Sequence, residues 1–135
     1  MQGASHKDIF LQSLERCTDS DKFIPSFYER FLSASDEIKD KFKHTDFKRQ
    51  NKMLVRSLTL AASATAGEAN SLQELRDRAE THDRHHLDIK PELYDHWRNA
   101  IISAAREFDP QWSDATEEAW HSVLGYVINH MIKYY

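Results

Sequence analysis

Apolar residues recur along this chain at intervals of three and four, and strict two-residue alternation is nearly absent. That period belongs to helices with one buried face. Phe10, Leu14 and Cys17 mark a first helix over about residues 5–17. The stretch "FIPSFYERFLSA" predicts a second, with Pro25 tolerated in its first turns. Phe23, Phe27, Tyr28 and Phe31 give it an aromatic face. A short helix over "SDEIKDKF" ends near Phe42. Asp46 then caps a long helix from Phe47 to about Ala66, whose stripe is Phe47, Gln50, Leu54, Leu58, Ala61 and Ala62. Ser71 and Glu74 have capping-box spacing and open a further helix. Its Leu72, Leu75, Ala79, His82 and His86 fall within about 80° of one another. Pro91 suits the first turn of the next, which carries Tyr94, Trp97, Ile101, Ala104, Ala105 and Phe108. "DPQWSD" breaks it, and a last helix follows with Trp120, Val123, Leu124, Val127, Ile128 and Met131. The pattern predicts an all-α fold of seven to eight helices, in one domain over residues 1–135.

Composition narrows the function. A chain of 135 residues supports one core without staples. Its single cysteine, Cys17, allows no internal disulfide and no Cys-based zinc or haem attachment. The first residues lack the apolar core of a signal peptide, and no run of 18 apolar residues occurs. The expectation is a cytoplasmic protein that does not cross a membrane. A net charge of −4 lacks the basic footprint of generic nucleic-acid binding. There is no HExxH, P-loop or GxGxxG. Glu118 and His121 have the spacing of a di-iron bundle ligand pair, but Glu118 lies off the helix's apolar face and no second Glu-x-x-His appears.

The chemistry that remains is histidine at the end of an apolar stripe. In "RAETHDRHHLDIKPELY", His82 and His86 lie on the stripe and His85 at its edge, about 60° from His82. Elsewhere, two polar groups interrupt apolar faces: Gln50 one turn before Leu54, and Tyr28 among phenylalanines. A buried amide and a buried phenol both need partners. Two such groups opposite a histidine in an apolar pocket describe a cofactor site. The plainer alternative is that Gln50 faces solvent, Tyr28 only packs and the histidines are a solvated helix end.

In order along the chain, "FYERFL", "EIKDKF", "TDFKRQNKMLVRSL", "HDRHHLDIKPELYDHW" and "EEAWHSVLGYVINHMI" resemble segments of the globin family. The resemblance is closest to single-domain bacterial globins and the globin domain of flavohaemoglobins, and covers about Asp8 to Tyr134. It implies a globin-like fold around a pocket for non-covalent haem b. It makes Phe42 the corner residue on the haem plane, Tyr28 the distal tyrosine and Gln50 the distal-helix residue facing the bound ligand. Leu54 and Phe47 would wall the distal side, Tyr94 and Trp97 the proximal side. The proximal ligand departs from the flavohaemoglobin pattern, because Arg84 stands ten residues before Tyr94 where that histidine belongs. His82 is chosen because it lies on the Leu72–Leu75–Ala79 stripe, with His85 the alternative.

The implied function is reversible binding of oxygen, nitric oxide or carbon monoxide, for gas binding, sensing or nitric oxide detoxification. Turnover as a nitric oxide dioxygenase would need an external reductase. The basic run "KDKFKHTDFKRQNK" could dock a partner, against the plainer reading of a solvated face, and an exposed helix face could pair two copies. The rival class is a cofactor-free helical interaction module, which would purify colourless.

Overall fold

The computed structural model describes residues 5–65, 73 and 91–133. Among them are six helices and no strand: α1 His6–Thr18, α2 Phe23–Leu32, α3 Asp36–Lys41, α4 Phe47–Thr65, α5 Pro91–Phe108 and α6 Asp114–Lys133. The helix expected to open at Ser71 lies outside the described residues, and with it the seventh of the expected count.

Side-chain caps set four of the helix starts, whereas α2 follows Lys22 with no side-chain cap. Ser5 Oγ accepts from the Asp8 amide at 3.2 Å, and Ser35 Oγ from the Ile38 amide at 3.3 Å. Asp46 Oδ1 accepts from the amides of Lys48 and Arg49 at 3.1 and 3.3 Å. Ser113 Oγ accepts from Thr116 at 3.3 Å. Each partners an amide that has no carbonyl one turn earlier. The second helix stops at Leu32, short of the expected Ala34; just beyond it the Ser33 hydroxyl donates to the Glu29 carbonyl at 2.7 Å.

The helices pack crosswise in sequence: α2 against α5, α1 and α4 against α6, α1 against α4. The core they enclose includes Phe10, Phe23, Phe27, Ile38, Leu58, Ile101, Trp120 and Leu124, all essentially without exposure. Phe10 lies on Trp120 with ring centroids 4.6 Å apart. Small residues are buried there too, with Ala61 and Ala62 on α4 and Ala104 and Ala105 on α5.

On α5 the expected stripe is shifted. Leu93, Ala100 and Ile102 are buried along with Ile101, Ala104 and Ala105, whereas Tyr94, Trp97 and Phe108 are half-buried. The buried arc is wide, and α5 packs against α1 and α6 as well as α2. The large aromatics therefore stand at its margin.

A polar network that periodicity does not announce ties the ends together. Asp109, 3% exposed, follows α5. Arg16 donates to it through Nε at 2.6 Å and Nη2 at 2.9 Å, Ser13 through its hydroxyl at 2.6 Å, and the Gln111 amide at 2.8 Å. The Trp120 indole N–H donates to Ser13 Oγ at 2.9 Å. Burial works to raise the Asp109 carboxyl, but the hydrogen bonds from Arg16, Ser13 and Gln111 outweigh it and hold it below its ordinary range. Nearby, burial pushes the Cys17 thiol up to about 12, and it donates weakly to the Ala105 carbonyl at 3.7 Å. That thiol is an inert core group.

Candidate functional site

The aromatic face of α2 meets the corner after α3 and the first turn of α4. The end of α3 places Phe42, whose amide closes the last turn onto the Ile38 and Lys39 carbonyls at 3.2 and 3.3 Å. The Phe31 ring meets it edge-on at 5.7 Å. Phe47, the first residue of α4, stacks nearly parallel to Phe42, with centroids 6.4 Å apart and planes 20° apart.

Tyr28 is enclosed by these rings. Its centroid is 4.7 Å from Phe27, 5.1 Å from Phe47 and 6.2 Å from Phe42, and the residue is 6% exposed. Burial pushes its phenol up to about 12, and a hydrogen bond with the Gln50 side chain partly opposes that rise. So the hydroxyl stays neutral and keeps its proton at any physiological pH. Gln50 itself is half-buried, and Leu54, one turn further along α4, is buried.

The structure thus brings together four of the residues singled out by sequence, Tyr28, Phe42, Phe47 and Gln50, with Leu54 one turn further along α4. Tyr94 and Trp97 are half-buried in the first two turns of α5. His82, with its alternatives His85 and His86, lies outside the described residues. His44 is exposed in the corner. Glu118 and His121 are exposed on α6, and Glu118 approaches His6 at 3.8 Å. Among the described residues no three His, Cys, Asp or Glu side chains converge as a metal site. No helix among them is long and apolar enough to cross a membrane.

One group that sequence reasoning missed stands near the proximal candidates. Arg98 Nε is buried and unpartnered among the described residues, although its Nη2 donates to Asp95 at 3.3 Å. Arg98 follows Tyr94 by four residues, so the two share a face of α5. That spacing was the available signal.

An aromatic α2 facing a corner phenylalanine, with a Tyr–Gln pair where α4 begins, can be set beside known families. Residues 25–132 match the globin family model. The chain belongs to the globin family. A crystal structure of a protein from Pseudomonas aeruginosa PAO1, described as structurally highly homologous to a human haemoglobin, superposes with a TM-score of 0.92 at 35% identity. The match covers 97% of this globin and 98% of that chain. No curated protein matches the sequence.

Proposed function

We propose that this globin binds haem b non-covalently and reversibly takes a diatomic gas (oxygen, nitric oxide or carbon monoxide) on the side walled by α2 and α4. The observation that carries the proposal is the buried Tyr28 phenol, enclosed by the rings of Phe27, Phe42 and Phe47 with Gln50 in the first turn of α4 beside it. A phenol buried among these rings costs desolvation that only a polar partner offsets. A pocket for a polar ligand supplies one.

The side chains present fit a haem. Phe42, Phe47, Tyr94 and Trp97 keep part of their apolar surface open, as suits a flat macrocycle. The spare Arg98 Nε suits a propionate carboxylate. His82 is the proposed proximal ligand, with His85 the alternative. The ring nitrogen of that histidine not used for iron would donate to a backbone carbonyl and fix the imidazole plane. When bound, the haem supplies an iron centre that takes the gas reversibly.

The chain's own residues tune the rest. Tyr28 donates its proton to a polar ligand. Gln50 orients that hydroxyl and offers its own amide as a second donor. The rings of Phe42 and Phe47 exclude water, which strengthens both hydrogen bonds. Two donors favour slow release. That suits gas scavenging, sensing or nitric oxide detoxification with an external reductase better than oxygen delivery.

Substitution of the tyrosine tests this. Tyr28→Phe removes one charge-stabilising donor, worth about 1.5–3 kcal/mol. Oxygen dissociation, followed by stopped flow, should speed up at least about tenfold. An unchanged rate would mean that Tyr28 does not reach the ligand. Because the phenol stays protonated, the wild-type rate should be flat up to about pH 10.

A further inference from the structure

Seven of the chain's 18 lysines and arginines fall between residues 39 and 56, against two of its 22 carboxylates. That segment is net +5 within a chain of net −4, so the remainder is net −9. All seven basic side chains are exposed. Of the two carboxylates, Asp40 pairs with Lys43 at 3.1 Å and Asp46 caps α4. Helix stability does not call for this charge. Lys48 and Arg49 stand in the first turn of α4, at the positive end of its dipole, and that turn holds no acid.

An apolar side chain lies among the cations. Met53 is 39% exposed, one of two exposed large hydrophobics among the described residues. Arg49 precedes it by four residues and Arg56 follows by three, so all three lie on one strip of α4. An adaptable thioether rimmed by charge is the anatomy of a protein contact. A nucleic acid is disfavoured, because the strip offers no exposed aromatic for base stacking. A membrane surface is disfavoured, because one methionine falls well short of the apolar face that an interfacial helix inserts.

The basic strip belongs to the elements that carry Phe42, Phe47 and Gln50. We infer that this face docks an acidic one-electron carrier protein, which reduces the iron of the haem proposed above; the inference rests on that proposal. One electron passes from the reduced carrier to ferric iron, leaving the carrier oxidised and the iron ferrous. No proton moves and no bond breaks. The long-range attraction between a basic face and an acidic carrier steers the encounter and is screened by salt.

The test uses the haem-loaded protein and a strongly acidic plant-type [2Fe–2S] ferredoxin. Binding is measured by isothermal titration calorimetry for wild type, Arg49→Glu and Met53→Ser. Arg49→Glu places an acid three residues after the Asp46 cap, the spacing of a capping box, so lost binding would not reflect a damaged helix. A Gln12→Glu/Gln111→Glu double variant makes the same two-unit change in net charge on α1 and in the α5–α6 connection. We expect affinity to fall at least about tenfold in Arg49→Glu and again on raising salt from roughly 20 to 300 mM. Met53→Ser should weaken binding with an unchanged salt slope, and the double variant should bind like wild type. Equal binding by wild type and Arg49→Glu, or none at low salt, overturns the docking face. The Soret band of the dithionite-reduced protein is recorded beside each titration. Its absence overturns the haem proposal and the electron-delivery role together, whereas its presence without charge-dependent binding overturns the docking face alone.

Discussion

Asp109 shows how much a single side chain can carry. It joins α1 to the end of α5 and, through Ser13, to Trp120 on α6. Asp109→Asn removes the anion facing Arg16, whose side chain is only 22% exposed. A loss of roughly 2–3 kcal/mol is expected, below the full cost of a wholly buried pair because Arg16 reaches solvent. Urea unfolding at neutral pH measures it. The pH dependence has a definite sign. The folded-state pKa of Asp109 is depressed, so its contribution is fully present above the unfolded value, near 4, and is lost as pH falls through the folded value. The gap between wild type and Asp109→Asn should therefore be wide at pH 7 and close on acidification below about pH 4. A gap independent of pH would mean that the carboxylate charge is not what matters. None of this network was legible beforehand. Ser13 is separated from Asp109 by 96 positions, and no local period links them. The only local hints were a serine on the Phe10–Leu14–Cys17 face and an aspartate just before Pro110.

At the scale of elements, helix starts were well marked in the sequence and helix faces less so. Asp46 caps α4 as the sequence suggested, and the α1, α4 and α6 faces follow the expected stripes. On each of these helices the buried residues keep to one stripe of 3.6-residue period. On α5 the expected Ile101, Ala104 and Ala105 are buried, and Leu93, Ala100 and Ile102 widen that face. The large aromatics Tyr94, Trp97 and Phe108 stand at the margin of that arc, packed against the core. In α4 the first turn shows a conflict between local stability and charge. Lys48 and Arg49 oppose the dipole at the helix's positive end. Arg49→Glu relieves this and completes the capping box, for a gain of about 0.5–1 kcal/mol. Thermal unfolding should show a rise of a few degrees, about 2–6 °C for a domain of this size. A lowered melting temperature would show that Arg49 makes a stabilising contact.

For the molecule as a whole, the segments that resembled globins occur in a chain that belongs to that family, and the family fold brings the distal half of the proposed site together. Tyr28 and Gln50 lie 22 positions apart, on different helices, and in the sequence their pairing shows only as two polar residues on apolar faces. The proximal half hangs on a choice among histidines that spacing alone left open. The measurement that tests the account most directly is the visible spectrum of the purified protein, ferric, ferrous and with carbon monoxide, beside His82→Ala. The account predicts a sharp Soret band in the wild type and a weakened or shifted one in the variant. A band unchanged in the variant would transfer the iron to His85, and no band even after adding haemin would contradict the haem claim itself.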